Sequence, residues 1–260
     1  MNFVKITIIL SVRIQLQKSG LRNVGDAKLK LLISIKDYRE ALKIKDSRFD
    51  ILDIKNPAEG SLGANFPSEI NKIRRLYSDF PLSAAGGDMP DLPGLASLAS
   101  YGLANCRVDY IKIGLYGPRE PEDAVYLLQN VKSAVRESGQ NPDIIAVSYA
   151  DYAENSTLNP MLLPEIAVKA DIDGVMIDTL NKSGKNLFDF MDVDDLKDFV
   201  SSSGESGLIS ALAGSLKVED IDLLMEIGAD IIGFRGAVCR DNDRMSEISP
   251  EKIDNLYRLI

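Results

Sequence analysis

Two residues of opposite charge, Asp53 and Lys55, stand two positions apart in the apolar run Ile51-Leu52-Asp53-Ile54-Lys55. On a strand, side chains two apart share a face, so this carboxylate and amine point the same way. Asn56-Pro57 ends such a strand, because proline has no N–H and disfavours helix for the residue before it. Gly60 and Gly63 then let the following loop pass close to a ligand. A lysine desolvated among other cations has a lowered pKa, and its neutral amine attacks a carbonyl to form an imine. Carboxylates beside it can carry the protons. A buried salt bridge that only fixes register is the plainer alternative, but burying such a pair is costly and an apolar pair is often as stable.

The sequence has no histidine. That excludes Ser-His-Asp and Cys-His chemistry and every His-ligated metal centre, and it leaves acid–base work to Asp, Glu, Lys, Tyr or Cys. Cys106 and Cys239 are too few for a disulfide framework or a cysteine metal site. They read as small core residues and suit a reducing cytoplasm. We therefore expect neither metal nor cofactor. A net charge of -9 argues against nucleic acid or an anionic membrane as partner, so an anionic substrate must be held by local cations and backbone N–H groups.

The elements that would position these residues alternate strand and helix along the 260-residue chain. Strands are expected at Leu31–Ile35, Ile51–Lys55, Leu82–Gly86, Val108–Leu115, Asp143–Tyr149, Gly174–Asp178, Leu208–Ala213 and Ile231–Arg235. Between them, Tyr38–Lys45 (capped by Asp37), Pro67–Ser78, Pro93–Asn105, Glu122–Glu137, Met161–Ala170, Val193–Ser201 and Val218–Ile227 read as helices, and Ser249-Pro250 opens a last one. Eight strand–helix pairs in a chain of this length predict an α/β fold, a single-domain (β/α)₈ TIM barrel. A doubly wound open sheet usually carries fewer units and a G-x-G-x-x-G turn, and none follows Ile35. Residues 1–29 carry five basic residues against Asp26, or +4, whereas the rest carries 25 basic and 38 acidic, or -13. Phe3–Val12 is apolar but short and broken by Lys5. We expect an N-terminal extension outside the fold, neither signal peptide nor membrane span, with the barrel occupying residues 30–260. A real N-terminal strand or a targeting arm is the alternative.

Barrel chemistry sits at the carboxyl ends of strands. There the sequence places Asp53, Lys55, Lys112, Asp178 and, on the loop that follows, Lys182 and Lys185. Strand five ends Ser148-Tyr149-Ala150-Asp151. Gly214-Ser215 and the run Gly233-Phe234-Arg235-Gly236 follow strands seven and eight, where barrels commonly grip phosphate. Glu59, Ser61 and Asn65 could touch substrate hydroxyls or simply form a polar loop. The Asp192–Asp198 cluster reads as a solvated helix start.

The long motifs Asp53-Ile-Lys-Asn-Pro-Ala-Glu-Gly-Ser-Leu-Gly-Ala-Asn-Phe-Pro, Tyr110-Ile-Lys-Ile-Gly-Leu-Tyr-Gly, Ile177-Asp-Thr-Leu-Asn-Lys with Leu187-Phe-Asp-Phe, and Ala211-Leu-Ala-Gly-Ser resemble the (5-formylfuran-3-yl)methyl phosphate synthase family of methanofuran biosynthesis. The resemblance runs from about Leu31 to the C-terminus. It is weaker over Pro81–Pro93, and residues 1–29 have no counterpart. It implies a barrel lyase that condenses two molecules of glyceraldehyde 3-phosphate into a phosphorylated furan aldehyde with loss of phosphate and water. On that resemblance Lys55 is the imine-forming lysine, and Asp53, Lys112, Asp178 and Lys182 are its catalytic companions. A phosphorylated triose is the expected partner, and a homo-oligomer is possible. Another phosphate-binding barrel aldolase or decarboxylase is the alternative. In that class a D-x-K strand usually continues to an aspartate three residues on, and here that position is Ala58. A sugar-phosphate-binding regulatory module would need no such gathering of lysines.

Overall fold

The computed structural model describes residues 29–182 and 184–260, so the expectation for residues 1–29 lies outside it except at Leu29. The chain alternates β1 (Lys30–Ile35), α1 (Tyr38–Lys43), β2 (Ile51–Ile54), α2 (Pro67–Leu76), β3 (Leu82–Met89), α3 (Pro93–Asn105), β4 (Tyr110–Leu115) and α4 (Pro121–Glu137). It continues with β5 (Asp143–Tyr149), a short α5 (Tyr152–Asn155), α6 (Leu163–Ala170), β6 (Gly174–Asp178), α7 (Val193–Glu205), β7 (Ile209–Leu212), α8 (Ile221–Ile227), β8 (Ile231–Phe234) and α9 (Pro250–Tyr257). All neighbouring strands pair in parallel, and β8 returns to pair with β1, closing an eight-stranded (β/α)₈ barrel.

The caps follow the sequence. Asp37 accepts from the Glu40 N–H, Ser249 from that of Lys252, and Gly228 ends α8 in the left-handed region at φ 78°. Asp192 caps α7 through the Asp195 N–H, so the acidic cluster does open a helix. Both cysteines are free and buried, as small core residues should be.

Strand alternation sorts the core into two shells. Outward residues such as Ile33, Ile35, Leu52, Ile54, Val175 and Leu212 pack beneath the helices. Inward residues such as Leu32, Ile51, Ile145, Met176, Ile209 and Ile231 fill the amino-terminal part of the barrel. Each fully buried aliphatic contributes roughly 1.5–3 kcal/mol. Toward the carboxyl ends of the strands the interior turns polar, with Ser34, Asp53, Lys55, Lys112 and Asp178 all buried. The apolar floor fixes the strands, and the charged layer stands on it.

Several strand ends differ from expectation by one or two residues, and one strand departs further. β3 does not stop at Gly86 but runs on to Met89, with its register against β4 shifting between Ala85 and Asp88. The Gly86-Gly87 pair permits this bulge, since Gly87 takes φ 126°. Pro81–Pro93, where the family likeness is weak, thus includes a barrel strand that carries Asp88 to the mouth.

Gly114 on β4 has a second kind of constraint. A Cβ there would lie 2.3 Å from the Tyr149 hydroxyl, 2.8 Å from Leu62 Cδ1 and 3.0 Å from the Gly87 carbonyl oxygen. Gly114→Ala should therefore destabilise the barrel by about 1–3 kcal/mol through overpacking, seen as a lower urea midpoint. An unchanged midpoint would mean that Tyr149 yields freely.

Candidate active site

The mouth at the carboxyl ends of the strands encloses a cavity of about 720 Å³, lined by Lys55, Lys112, Asp178 and Lys182 on one side and by the chain after β7 and β8 on the other. Four of the five expected catalytic residues thus line it, and the fifth, Asp53, lies against Lys112, so the charges form a defined pattern of pairs.

Asp53 is fully buried, and its Oδ2 accepts from the Ser34 hydroxyl at 2.8 Å and pairs with Lys112 Nζ at 2.7 Å. Its Oδ1 is buried without a hydrogen-bond partner. On β6, Asp178 Oδ1 accepts from Lys182 Nζ and from the Thr179 N–H, each at 2.7 Å. Lys182 Nζ is held further by the Thr179 carbonyl at 2.5 Å and the Thr179 hydroxyl at 2.8 Å. Burial alone would raise the Asp178 carboxyl, but Lys182, Lys55 and the two donated hydrogen bonds overcome it and hold the group well below the usual carboxylate range. Asp178 is therefore held as an anion.

Of these three lysines, Lys55 has no carboxylate within salt-bridge distance among the described residues. Burial first, opposed by Asp178 and reinforced by Lys112 and Lys182, lowers its ammonium from 10.5 to about 7. Asp53, which shares its strand face, opposes the shift least of the charges named.

The loops are tied together rather than left open. Ser61 donates to the Thr179 carbonyl, Asn65 to the Lys36 carbonyl, and Glu59 accepts from Asn56, so these three brace the loop after β2 instead of facing a substrate. Lys185 pairs with Glu154 and lies over the Phe190 ring, outside the cavity lining. Asp151 accepts from the Leu180 and Asn181 N–H groups and so positions the segment that carries Lys182. Tyr149, its phenol pushed well above the usual value by burial and the Asp88 carboxylate, donates to Asp88 Oδ1 at 2.6 Å. Asp88 in turn accepts from the Leu62 N–H. Asp88 was hidden in the sequence because Gly86-Gly87 reads as a strand end.

On the opposite wall, Gly214 and Ser215 take φ 112° and 54°, and Gly236 opens a short 3₁₀ turn. The first N–H groups of such a turn have no partner within it. A Cβ at Gly214 would sit 3.0 Å from Thr179 Cγ2, so the wall admits no bulk there. Gly233 points inward toward Ala213 and Leu32. Arg235 departs from expectation. Its Nη1 and Nη2 grip Glu40 at 2.5 and 3.0 Å, and its remaining N–H groups go to the carbonyls of Ser34, Arg244 and Ser246. All five guanidinium donors are taken, so its side chain holds structure where a direct phosphate ligand was expected. Arg244, which the sequence reading passed over, also lines the cavity on this wall.

Among the described residues, no group of three or more Cys, Asp or Glu is placed to hold a metal ion, and no helix is long and apolar enough to cross a membrane.

Two measurements test these assignments. Unfolded Lys55 binds its proton up to about 10.5, folded Lys55 only up to about 7, so its burial penalty is full below 7 and fades as pH rises toward 10.5. Lys55→Met should accordingly raise the melting temperature more at pH 6 than at pH 9, and an equal gain at both would mean an unshifted lysine. Glu40→Gln should cost about 3–5 kcal/mol by leaving the buried Arg235 charge unmatched, measured by urea unfolding; a loss below about 1 kcal/mol, typical of an exposed pair, would refute a buried one.

Comparisons with known proteins bear on the family and the fold. Residues 31–257 match the family model described as 4-HFC-P synthase. The (5-formylfuran-3-yl)methyl phosphate synthase of Methanococcus maripaludis (strain S2) is 46% identical over 215 residues, covering 82% of this chain and 91% of that protein. The synthase of the same name from Archaeoglobus fulgidus is 42% identical over 234 residues, 89% of this chain and 99% of that one. Among solved structures, 3-hexulose-6-phosphate synthase from Salmonella typhimurium superposes with a TM-score of 0.60 at 17% identity, over 87% of this chain and 97% of that one. Deoxyribose phosphate aldolase from Aeropyrum pernix gives 0.60 at 14%, over 94% and 97%. At such identity these two speak for the barrel alone. The sequence matches go further, and the chain belongs to the (5-formylfuran-3-yl)methyl phosphate synthase family.

Proposed function

We propose that this chain condenses two molecules of glyceraldehyde 3-phosphate into (5-formylfuran-3-yl)methyl phosphate, releasing one phosphate and two waters, through an imine on Lys55. The observation that carries the reading is a buried lysine whose ammonium is lowered to about 7. Near neutral pH a large share of it is the free amine that carbonyl attack requires.

The amine of Lys55 adds to the carbonyl of one triose phosphate (or of its ketose isomer), and water leaves to give the imine. Loss of a proton from the adjacent carbon makes an enamine, which forms the new carbon–carbon bond with the aldehyde of the second triose. Asp178, held ionised by Lys182, suits proton abstraction. The unpartnered Oδ1 of Asp53 offers a second acceptor, while Lys112 keeps that carboxylate oriented. Elimination of phosphate and ring closure with loss of water follow, and hydrolysis returns Lys55. Lys182 and Lys112 offset the negative charge that develops on oxygen. Backbone N–H groups of Gly214, Ser215 and Gly236 are assigned to one phosphate, and Arg235 fixes the turn that presents the last of them. A methanofuran-type carrier pathway and a cytoplasmic setting fit this chemistry.

Incubation with glyceraldehyde 3-phosphate should produce furan-aldehyde ultraviolet absorbance with equimolar phosphate. Borohydride added during turnover should trap an adduct on Lys55, at a rate that rises with pH through about 7 and then levels, because the amine forms above that value. Lys55→Arg, which keeps the charge but cannot form the imine, should lose adduct and turnover while melting as a folded protein. An adduct on Lys112 or Lys182 would reassign the nucleophile, and no adduct at all would sink the imine.

A further inference from the structure

We propose that Arg244 anchors the phosphate of the second triose, at a subsite distinct from the backbone grip after β7 and β8; this rests on the condensation reading above. The cavity of about 720 Å³ is far larger than one three-carbon phosphate fills. Two phosphomonoesters brought together there add about -1.5 to -2 charge each, and they need separate cations.

The cations lining the cavity are mostly committed. Lys112 is matched by Asp53, Lys182 by Asp178, and Arg235 by Glu40. Lys55 is the amine, and Lys217 is exposed at the rim. Arg244 differs from all of these. Among the described residues it has no carboxylate within salt-bridge distance, and its one side-chain hydrogen bond runs from Nη2 to the Gly60 carbonyl at 2.8 Å. Its Nε is buried with no partner. Its Nη1 makes no hydrogen bond to protein and is absent from the buried unpartnered atoms, so it is open to the cavity. An unsatisfied buried donor beside an open one, on a cation without a counterion, is an anion site waiting for its ligand. The guanidinium fork suits a phosphate.

The placement is built rather than accidental. The loop that bears Arg244 is pinned by Arg235 Nε on the Arg244 carbonyl, Arg235 Nη2 on that of Ser246 and Lys36 Nζ on that of Met245. Asp243 closes the turn through the Met245 N–H and the Ser246 hydroxyl. From there Arg244 reaches past the end of β1 to Gly60, whose loop Asp88 and Tyr149 brace from the β3 side. Arg244 therefore links the β8 loop to the β2 loop past β1, in the same lining as Lys55.

Two saturation curves separate the subsites. Borohydride trapping on Lys55 needs only the first triose, whereas furan formation needs both. In Arg244→Gln, the glyceraldehyde 3-phosphate concentration for half-maximal furan formation should rise about 10- to 100-fold. The half-saturation for trapping should move less than about 3-fold, within the ordinary context dependence of a neighbouring contact. Arg244→Lys should recover part of the loss, because it restores a phosphate-binding point charge without the fork. Thermal melts of both variants check folding, and the lysine variant carries the test if the glutamine variant does not fold. If both curves shift together, Arg244 serves the first triose and the proposal falls. It falls also if neither shifts, since Arg244 then only ties the loop of Gly60. Wild-type protein that yields neither adduct nor furan would instead defeat the condensation reading itself.

Discussion

Two carboxylates and three lysines share the barrel mouth, and each carboxylate is taken by a lysine other than Lys55. That inequality is what the remainder of the site depends on. Lys112 occupies Asp53 and Lys182 occupies Asp178, each at 2.7 Å, so Lys55 meets burial with only the residual field of carboxylates already matched. With a private counterion its ammonium would stay charged, and the same residues would make an inert ion-pair cluster. The apolar floor of the barrel maintains the inequality by excluding water, and the strand register fixes which lysine reaches which acid.

A second layer of contacts keeps the arrangement from relaxing. Lys182 stays on Asp178 because Thr179 holds its ammonium from two oxygens and Asp151 holds the turn that carries it. The loop after β2 is fastened to the β6 loop through Ser61, to β3 through Asp88 and to the β8 loop through Arg244. Most of the polar residues that a reader would assign to substrate are spent on one another. Lys55, without a salt-bridge partner, and the buried, unpartnered Oδ1 of Asp53 are left over from these pairings.

The barrel was legible because its periodic signals are local: apolar strands, capped helices and glycine or proline stops recur along the chain. The charged residues of the mouth were legible for the same reason, since charge inside an apolar strand stands out. Their partnerships were not. Asp53 and Lys55 share a face on one strand, yet the charge that chiefly opposes the Lys55 shift is Asp178, contributed by another strand of the closed barrel. Arg235 reads as a phosphate ligand until Glu40, 195 positions away, occupies it. Asp88 lies beyond a glycine pair that looks like an ending and is a bulge. Such errors share one cause, which is that a strand's end and a side chain's partner are set by neighbours remote in sequence.

The Arg235–Glu40 pair joins the turn after the last strand to the helix after the first, alongside the β1–β8 ladder. It therefore acts as a clasp at the seam where the ring shuts. Lys55 is translated early, on the second strand, but the dryness that makes it an amine exists only after the eighth strand and its clasp are in place. Seam contacts of such sequence separation are entropically late to form. In a half-synthesised chain Lys55 is consequently solvated like any surface lysine, and its lowered pKa is a property of the closed ring alone.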